Sequence, residues 1–257
     1  MPRSKRQEKN GPGLLFIVIT LVVVAVVGAR FFGFMPEGSK QEQPPLAPGV
    51  DDSQPPGLLG SPQVLIYHSY ATGNYSPSEQ SHRRGGEPGD IVAVGTELTL
   101  ALERLEVKAI QDTTVHDKPH FSEAFISSGK MVAAALEQNS EIKMVLDIAR
   151  DGLQDKPENY TTAKVNGIDV AKILFVVGGK DNPHLDRNLA FAHQLSDALE
   201  KKYPGVTRGV RVFDMDYNGK LHPHMIRIMI GDWQGNTAAQ ARESAKLLAE
   251  IIAPLVK

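Results

Sequence analysis

A chain of 257 residues with 41% hydrophobic content is long enough for one sizeable domain plus appendages. Its formal net charge of −2, with no basic run interleaved with aromatics in the body, excludes a nucleic-acid partner held by overall charge. With no cysteine, disulfides, thiolate metal sites and a cysteine nucleophile are excluded as well.

The first nine residues carry Arg3, Lys5, Arg6 and Lys9 against one acid, and residues 1–13 read as a basic cytoplasmic tail. Residues 14–35, "LLFIVITLVVVAVVGARFFGFM", are apolar enough to span a bilayer, with Arg30 able to snorkel beside Phe31, Phe32 and Phe34. The apolar run continues past the small-residue "VGA" that ends at Ala29. This favours an uncleaved transmembrane anchor over a signal peptide, with the body outside the cell membrane. Residues 36–62 hold seven prolines among polar residues and glycines and read as a linker.

The body, 63–257, opens with a strand at "QVLIY" (63–67) and a helix in "GTELTLALERL" (95–105), where Leu98, Ala101, Leu102 and Leu105 share one face. A strand at "VKAIQ" (107–111) precedes a helix over 122–138 with Ser122 as its N-cap. "KMVLDI" (143–148) is the third strand. In "TAKVNGIDVAKILFVVG" (162–178), Asn166-Gly167 suits a type I′ hairpin because both turn residues need positive φ. A helix over 187–202, a strand at 225–231 and a helix over 237–252 starting near Thr237 complete the order. Strands alternating with amphipathic helices imply an α/β domain: three layers, a largely parallel sheet and helices on both faces. The ligand crevice of such a sheet lies beyond the carboxyl ends of its strands, which puts His68, Ala149, Arg150 and Gly178–Gly179 along one rim.

Several segments together resemble the stage II sporulation protein P family: "VLIYHSYATGNY" (64–75), "VGTELTLALERLEVKAIQDTTVHDKPHFSEAF" (94–125), "IKMVLDIARDG" (142–152), "AKILFVVGGKDNP" (171–183), "NLAFAHQLSDALEKKYPGVTRGV" (188–210) and "YNGKLHPHMIRIMIGDWQGNT" (217–237). The resemblance implies a fold like the zinc-dependent N-acetylmuramoyl-L-alanine amidases. It implies hydrolysis of peptidoglycan at the septal membrane of spore-forming bacteria, alongside stage II sporulation proteins D and M. That chemistry uses a zinc-bound water held by imidazoles and a carboxylate, with a glutamate as proton shuttle.

Position by position, the resemblance implies a degenerate centre. The family's His-Thr-His with a following Glu reads here as His68, Ser69, Tyr70 and Gly73. Its Asp-Ile-His-Arg-Asp reads Asp147-Ile148-Ala149-Arg150-Asp151, and its last-strand Glu reads Met229 before Ile230-Gly231. Glycine and alanine offer no side-chain ligand, and a methionine thioether neither suits a water-activating zinc nor carries a proton. His68 alone is far short of the three protein ligands of a catalytic zinc.

A site rebuilt from the other histidines would draw on His116 and His120, but Pro119 argues against the helix that would align them. His222, His224 and Asp232 flank the last strand and are the remaining candidates; displaced ligands rarely regain the required geometry, and exposed polar residues are the plainer reading. "GGKDNP" lacks the lysine-serine pair of a phosphate loop, and Ser69 next to His68 is adjacency rather than a triad. Tyr70, Tyr75, Arg150, Asp151, Asn218 and Trp233 are the candidate groove residues. Tyr75 and Trp233 could stack on sugar rings but more simply pack, and Arg150 with Asp151 could bind a stem-peptide carboxylate or form an ion pair. The expected protein is a membrane-anchored, wall- or partner-binding module without a cofactor. An active amidase or endopeptidase with a rearranged zinc site, and a membrane-tethered scaffold, are the rival readings.

Overall fold

The structure is a computed structural model that describes residues 61–256. The expected basic tail, the membrane anchor and all but the last two residues of the linker lie outside the described residues. Among the described residues no helix is long and apolar enough to cross a membrane.

The strands are β1 (Val64–Tyr67), β2 (Ala109–Gln111), β3 (Met144–Asp151), β4 (Thr162–Val165), β5 (Ile168–Ala171), β6 (Ile173–Gly178), β7 (Thr207–Phe213) and β8 (Met225–Asp232). The helices are α1 (Asp90–Arg104), α2 (Ala124–Gln138), α3 (Leu185–Lys202) and α4 (Ala238–Val256). Six strands form one sheet in the order β2-β1-β3-β8-β6-β7, and β4-β5 form a separate antiparallel pair.

Period-two alternation sorts the strand residues between two layers. Val64 and Ile66 of β1, Leu146 and Ile148 of β3, and Ile226 and Ile228 of β8 turn toward Leu98 and Leu102 of α1, Leu195 of α3 and Leu248 of α4. Their neighbours Leu65, Tyr67, Val145 and Met225 face Val132 of α2. The expected three layers are therefore present, with three helices on one face and one on the other.

The sheet is largely parallel, as expected, with one antiparallel pairing. β1, β2, β3 and β8 are mutually parallel, but β6 runs antiparallel to β8, and β7 follows β6. A parallel connection needs a long crossover, usually a helix. Between β3 and β6 there is only a loop and the β4-β5 hairpin, so β6 enters from the rim where β3 ends and runs back. Gly178 and Gly179 consequently sit at the opposite rim from His68 and Ala149, which corrects their expected placement. No crossover helix separates β7 from β8 either, and the second reversal returns β8 to the first rim.

Local chemistry explains the remaining differences. Asn166 (φ 50°) and Gly167 (φ 84°) adopt the two positive-φ positions expected of the hairpin turn. Ser122 does not cap α2: it lies inside a 3-10 turn, Phe121–Glu123, and the helix follows at Ala124. β7 was not expected. Gly209 (φ 80°) and two arginines interrupt its apolar pattern, and it is an edge strand whose last three residues are exposed.

Thr237 and Gln240 bond reciprocally at the start of α4: the Gln240 amide N–H donates to Thr237 Oγ1 (3.2 Å) and the Thr237 N–H to Gln240 Oε1 (2.9 Å). Replacing Thr237 by Ala is expected to cost about 1 kcal/mol and lower the melting temperature by roughly 2–4 °C in a thermal unfolding experiment.

Candidate functional site

Tyr70, Ala149 and Met229 belong to the rim at the carboxyl ends of β1, β3 and β8, and Ala149 and Met229 are direct cross-strand partners. Both point to the α2 face, which two further polar positions occupy. Asp147 and Arg227 are also cross-strand partners, and their side chains form an ion pair only 1% and 6% exposed. Asp147 Oδ1 accepts the Ser69 backbone N–H (2.9 Å) and Oδ2 accepts the Ser69 hydroxyl (3.0 Å), so one carboxylate ties β3 to β8 and to the end of β1. The network continues through Ser128 Oγ of α2, 3.2 Å from Ser69 Oγ, to the Asn218 amide (3.1 Å). The Arg227 guanidinium lies 5.4 Å from the ring centroids of Tyr70 and Phe125 and 5.7 Å from that of Tyr217.

His68 takes no part in this. It points to the opposite face, under α1, where Nδ1 must donate to the Ile148 carbonyl (2.9 Å) and Nε2 therefore accepts from the Gln111 amide (2.9 Å). A Cβ on Gly95 of α1 would lie 2.5 Å from His68 Nε2, so the helix can close over the ring only because this residue is glycine. Full burial pushes the His68 pKa below its ordinary value, against the opposing pull of the Ile148 carbonyl. His68 is thus a neutral, doubly satisfied structural histidine.

The other candidates separate as well. Tyr75 is fully buried, its hydroxyl donating to the Ile230 carbonyl (2.6 Å); it packs rather than lining a groove. Trp233 is half-buried and donates to the Ser78 carbonyl (3.2 Å). Asn218 is buried between α2 and the loop before β8. Arg150 does not pair with the Asp151 carboxylate. Its guanidinium bonds the carbonyls of Asn74 (2.7 Å), Asp151 (3.0 Å) and Ser81, pinning the 71–82 loop to β3. Asp151 instead pairs with Arg208 of β7 at 3.0 Å. A Cβ on Gly73 would stand 3.7 Å from Arg150 Nε, so this position faces the guanidinium.

The histidines proposed for a rebuilt centre do not converge. His116 is buried, bonded to Asp112 (2.8 Å) and Ser127 (3.1 Å), while His120 is exposed. His222 and His224 precede β8 and so belong to the far rim, where His224 packs on Phe191. The Asp232 carboxylate accepts the backbone N–H groups of Leu153 (2.7 Å), Gln234 (3.1 Å) and Gly235 (2.9 Å) and pairs with Lys156. Among the described residues no three His, Asp or Glu side chains are placed to share a metal ion.

Sequence reasoning missed Asp147, Arg227, Arg208, Phe125 and Tyr217. The signal for the first two was available: "MVLDI" and "MIRIMI" are apolar strands each interrupted by one charge, and the charges are of opposite sign.

A profile described as Stage II sporulation protein P (SpoIIP) matches residues 36–253, and the chain belongs to that family. It is 30% identical over 158 residues to stage II sporulation protein P of Bacillus subtilis (strain 168), a match covering 57% of this chain and 38% of that protein. Similar solved structures include the N-acetylmuramoyl-L-alanine amidase AmiC2 of Nostoc punctiforme (14% identity, 77% of this chain and 97% of that one, TM-score 0.49). Another is the N-acetylmuramoyl-L-alanine amidase from Clostridium difficile 630 (14% identity, 76% and 94%, TM-score 0.49).

Two measurements check this description. Because the His68 pKa is lower folded than unfolded, the unfolded chain binds more protons below about pH 6.5, and His68 removes stability as pH falls from there toward its folded value. His82 and His222 shift the same way through burial, so the comparison is with His68→Gln: its denaturation free energy is expected to fall less steeply between pH 6.5 and 5. Arg227→Met leaves the Asp147 charge buried without its cation and is expected to cost about 3–5 kcal/mol, whereas Asp147→Asn with Arg227→Met is expected to cost less than the two singles summed.

Proposed function

We propose that this chain is a non-catalytic, peptidoglycan-binding member of the stage II sporulation protein P family. The reading gives it a membrane anchor at residues 14–35 and a body on the extracytoplasmic side. The single observation that carries it is the pairing of Ala149 with Met229 on the α2 face, at the rim to which the family resemblance assigns a metal histidine and the catalytic acid. Neither side chain ligates zinc or moves a proton, and the one remaining histidine of the set, His68, has both ring nitrogens engaged on the other face of the sheet. The residues present do not fit a catalytic zinc.

What the family membership and the retained scaffold support is recognition: a site rim held rigid by the Asp147–Arg227 pair and walled by Tyr70, Phe125 and Tyr217. Peptidoglycan is the ligand the family suggests, and stage II sporulation protein D- and M-like membrane proteins are the protein partners it suggests.

The test uses the full-length chain, purified in detergent without chelator. Zinc far below one ion per chain, no release of stem peptides from sacculi, and co-sedimentation with sacculi are the expected results. Near-stoichiometric zinc together with peptide release would overturn the loss of catalysis. Failure to co-sediment would overturn wall binding and favour a scaffold that meets only protein partners.

A further inference from the structure

Among the described residues, two arginines on the α2 face keep donors that no group accepts. Arg208 is 7% exposed; one of its terminal nitrogens bonds Asp151, while Nε and the other terminal nitrogen are buried and unpaired. Arg227 is 6% exposed and gives one terminal nitrogen to Asp147, while its Nε is buried and unpaired. A guanidinium offers five N–H donors, and a buried donor without an acceptor costs free energy comparable to a lost hydrogen bond.

The fold puts both arginines on the same face of the sheet. Thr207 turns toward α3, where its hydroxyl lies 3.0 Å from that of Ser196, so the next residue, Arg208, points to the opposite face. To reach Asp151 on β3 from β7 the pair must cross β6 and β8, at the level where Leu174 lies opposite Met229. Arg227 stands two residues before Met229 on the same strand and face, so its side chain is one pleat repeat away. Met229, on the same face, is half-buried and accepts no strong hydrogen bond.

Arg208 is matched by Asp151 and Arg227 by Asp147, and the nearby Asp232 carboxylate is taken by Lys156 and three backbone N–H groups. No acid of the rim reaches the unpaired guanidinium nitrogens, which a further carboxylate would satisfy.

We propose that this rim binds a ligand carboxylate, taken by the unpaired donors of Arg208 and Arg227 beside Met229. The inference rests on the wall-binding reading for its ligand class, a peptide carboxylate of the stem-peptide kind. Tyr160, 41% exposed with its ring 5.4 Å from the Arg208 guanidinium, and the flexible thioether of Met229 form the cover that moves aside when the ligand enters.

Binding of a synthetic stem tetrapeptide with free carboxylates to the detergent-solubilised full-length chain, followed calorimetrically, tests this. Amidation of the peptide carboxylates and Arg208→Met are each expected to weaken binding about tenfold or more. Equal affinity for the amidated peptide, or no effect of Arg208→Met, would overturn the site. Met229→Glu guards against a folding artefact. By placing an internal carboxylate among the donors it is expected to raise the melting temperature and abolish peptide binding; a lower melting temperature with unchanged peptide affinity overturns the proposal. A glycerol phosphate oligomer is the control for another oxyanion source, and its Arg208-dependent binding in the absence of tetrapeptide binding overturns the peptide assignment. Sacculus co-sedimentation that survives Arg208→Met removes the arginine site but leaves wall binding standing, whereas no co-sedimentation of the native chain removes wall binding itself.

Discussion

The Asp147 carboxylate holds the functional end of this sheet together. It accepts two bonds from Ser69 and one from Arg227, and so joins β3 to β8 and to the end of β1 at a point almost without water. In that setting an unpaired charge is far more costly than a missing surface bridge, so the partners are bound to one another in position as well as in energy. The aromatic walls follow from it. Tyr70, Phe125 and Tyr217 come from three separate segments and converge because the Arg227 guanidinium, fixed by Asp147, gives their ring faces a common cation.

Seen from that hub, the two faces of the rim have different tasks. The α1 face is closed: His68, Gln111 and Gly95 interlock so tightly that even a methyl group on the helix would collide with the imidazole. The α2 face holds the polar and aromatic groups and the positions at which the family resemblance places a metal ligand and an acid. Ala149 and Met229, which occupy those positions, lie beside the Asp147 network rather than within it, so the scaffold does not depend on them.

The same contacts distinguish a residue kept for structure from one kept for chemistry. A histidine aligned with a family motif reads as a ligand until its nitrogens are traced, and here both are committed to the fold. Arg150 is similar: next to Asp151 in the chain it suggests an ion pair, yet its three bonds to carbonyls make it the clasp of the 71–82 loop, and Asp151 is claimed by an arginine from the far edge of the sheet.

Periodicity in the chain determined the helices, most of the strands and the Asn166-Gly167 turn, because those depend on side-chain alternation and local φ preferences within a few residues. The absence of ligating atoms at Gly73, Ala149 and Met229 is also a property of composition and needs no coordinates. Strand direction, and with it which residues share a rim, was decided only by the tertiary structure. Two connections without a crossover helix reversed the chain twice and sent Gly178–Gly179 to the opposite end. The pairing of Asp147 with Arg227, 80 residues apart, and of Asp151 with Arg208, 57 apart, likewise appeared only when the sheet order was known. A lone charge in an apolar strand is visible in the sequence, but which opposite charge it meets is not; their attraction matters only once burial has removed the water between them.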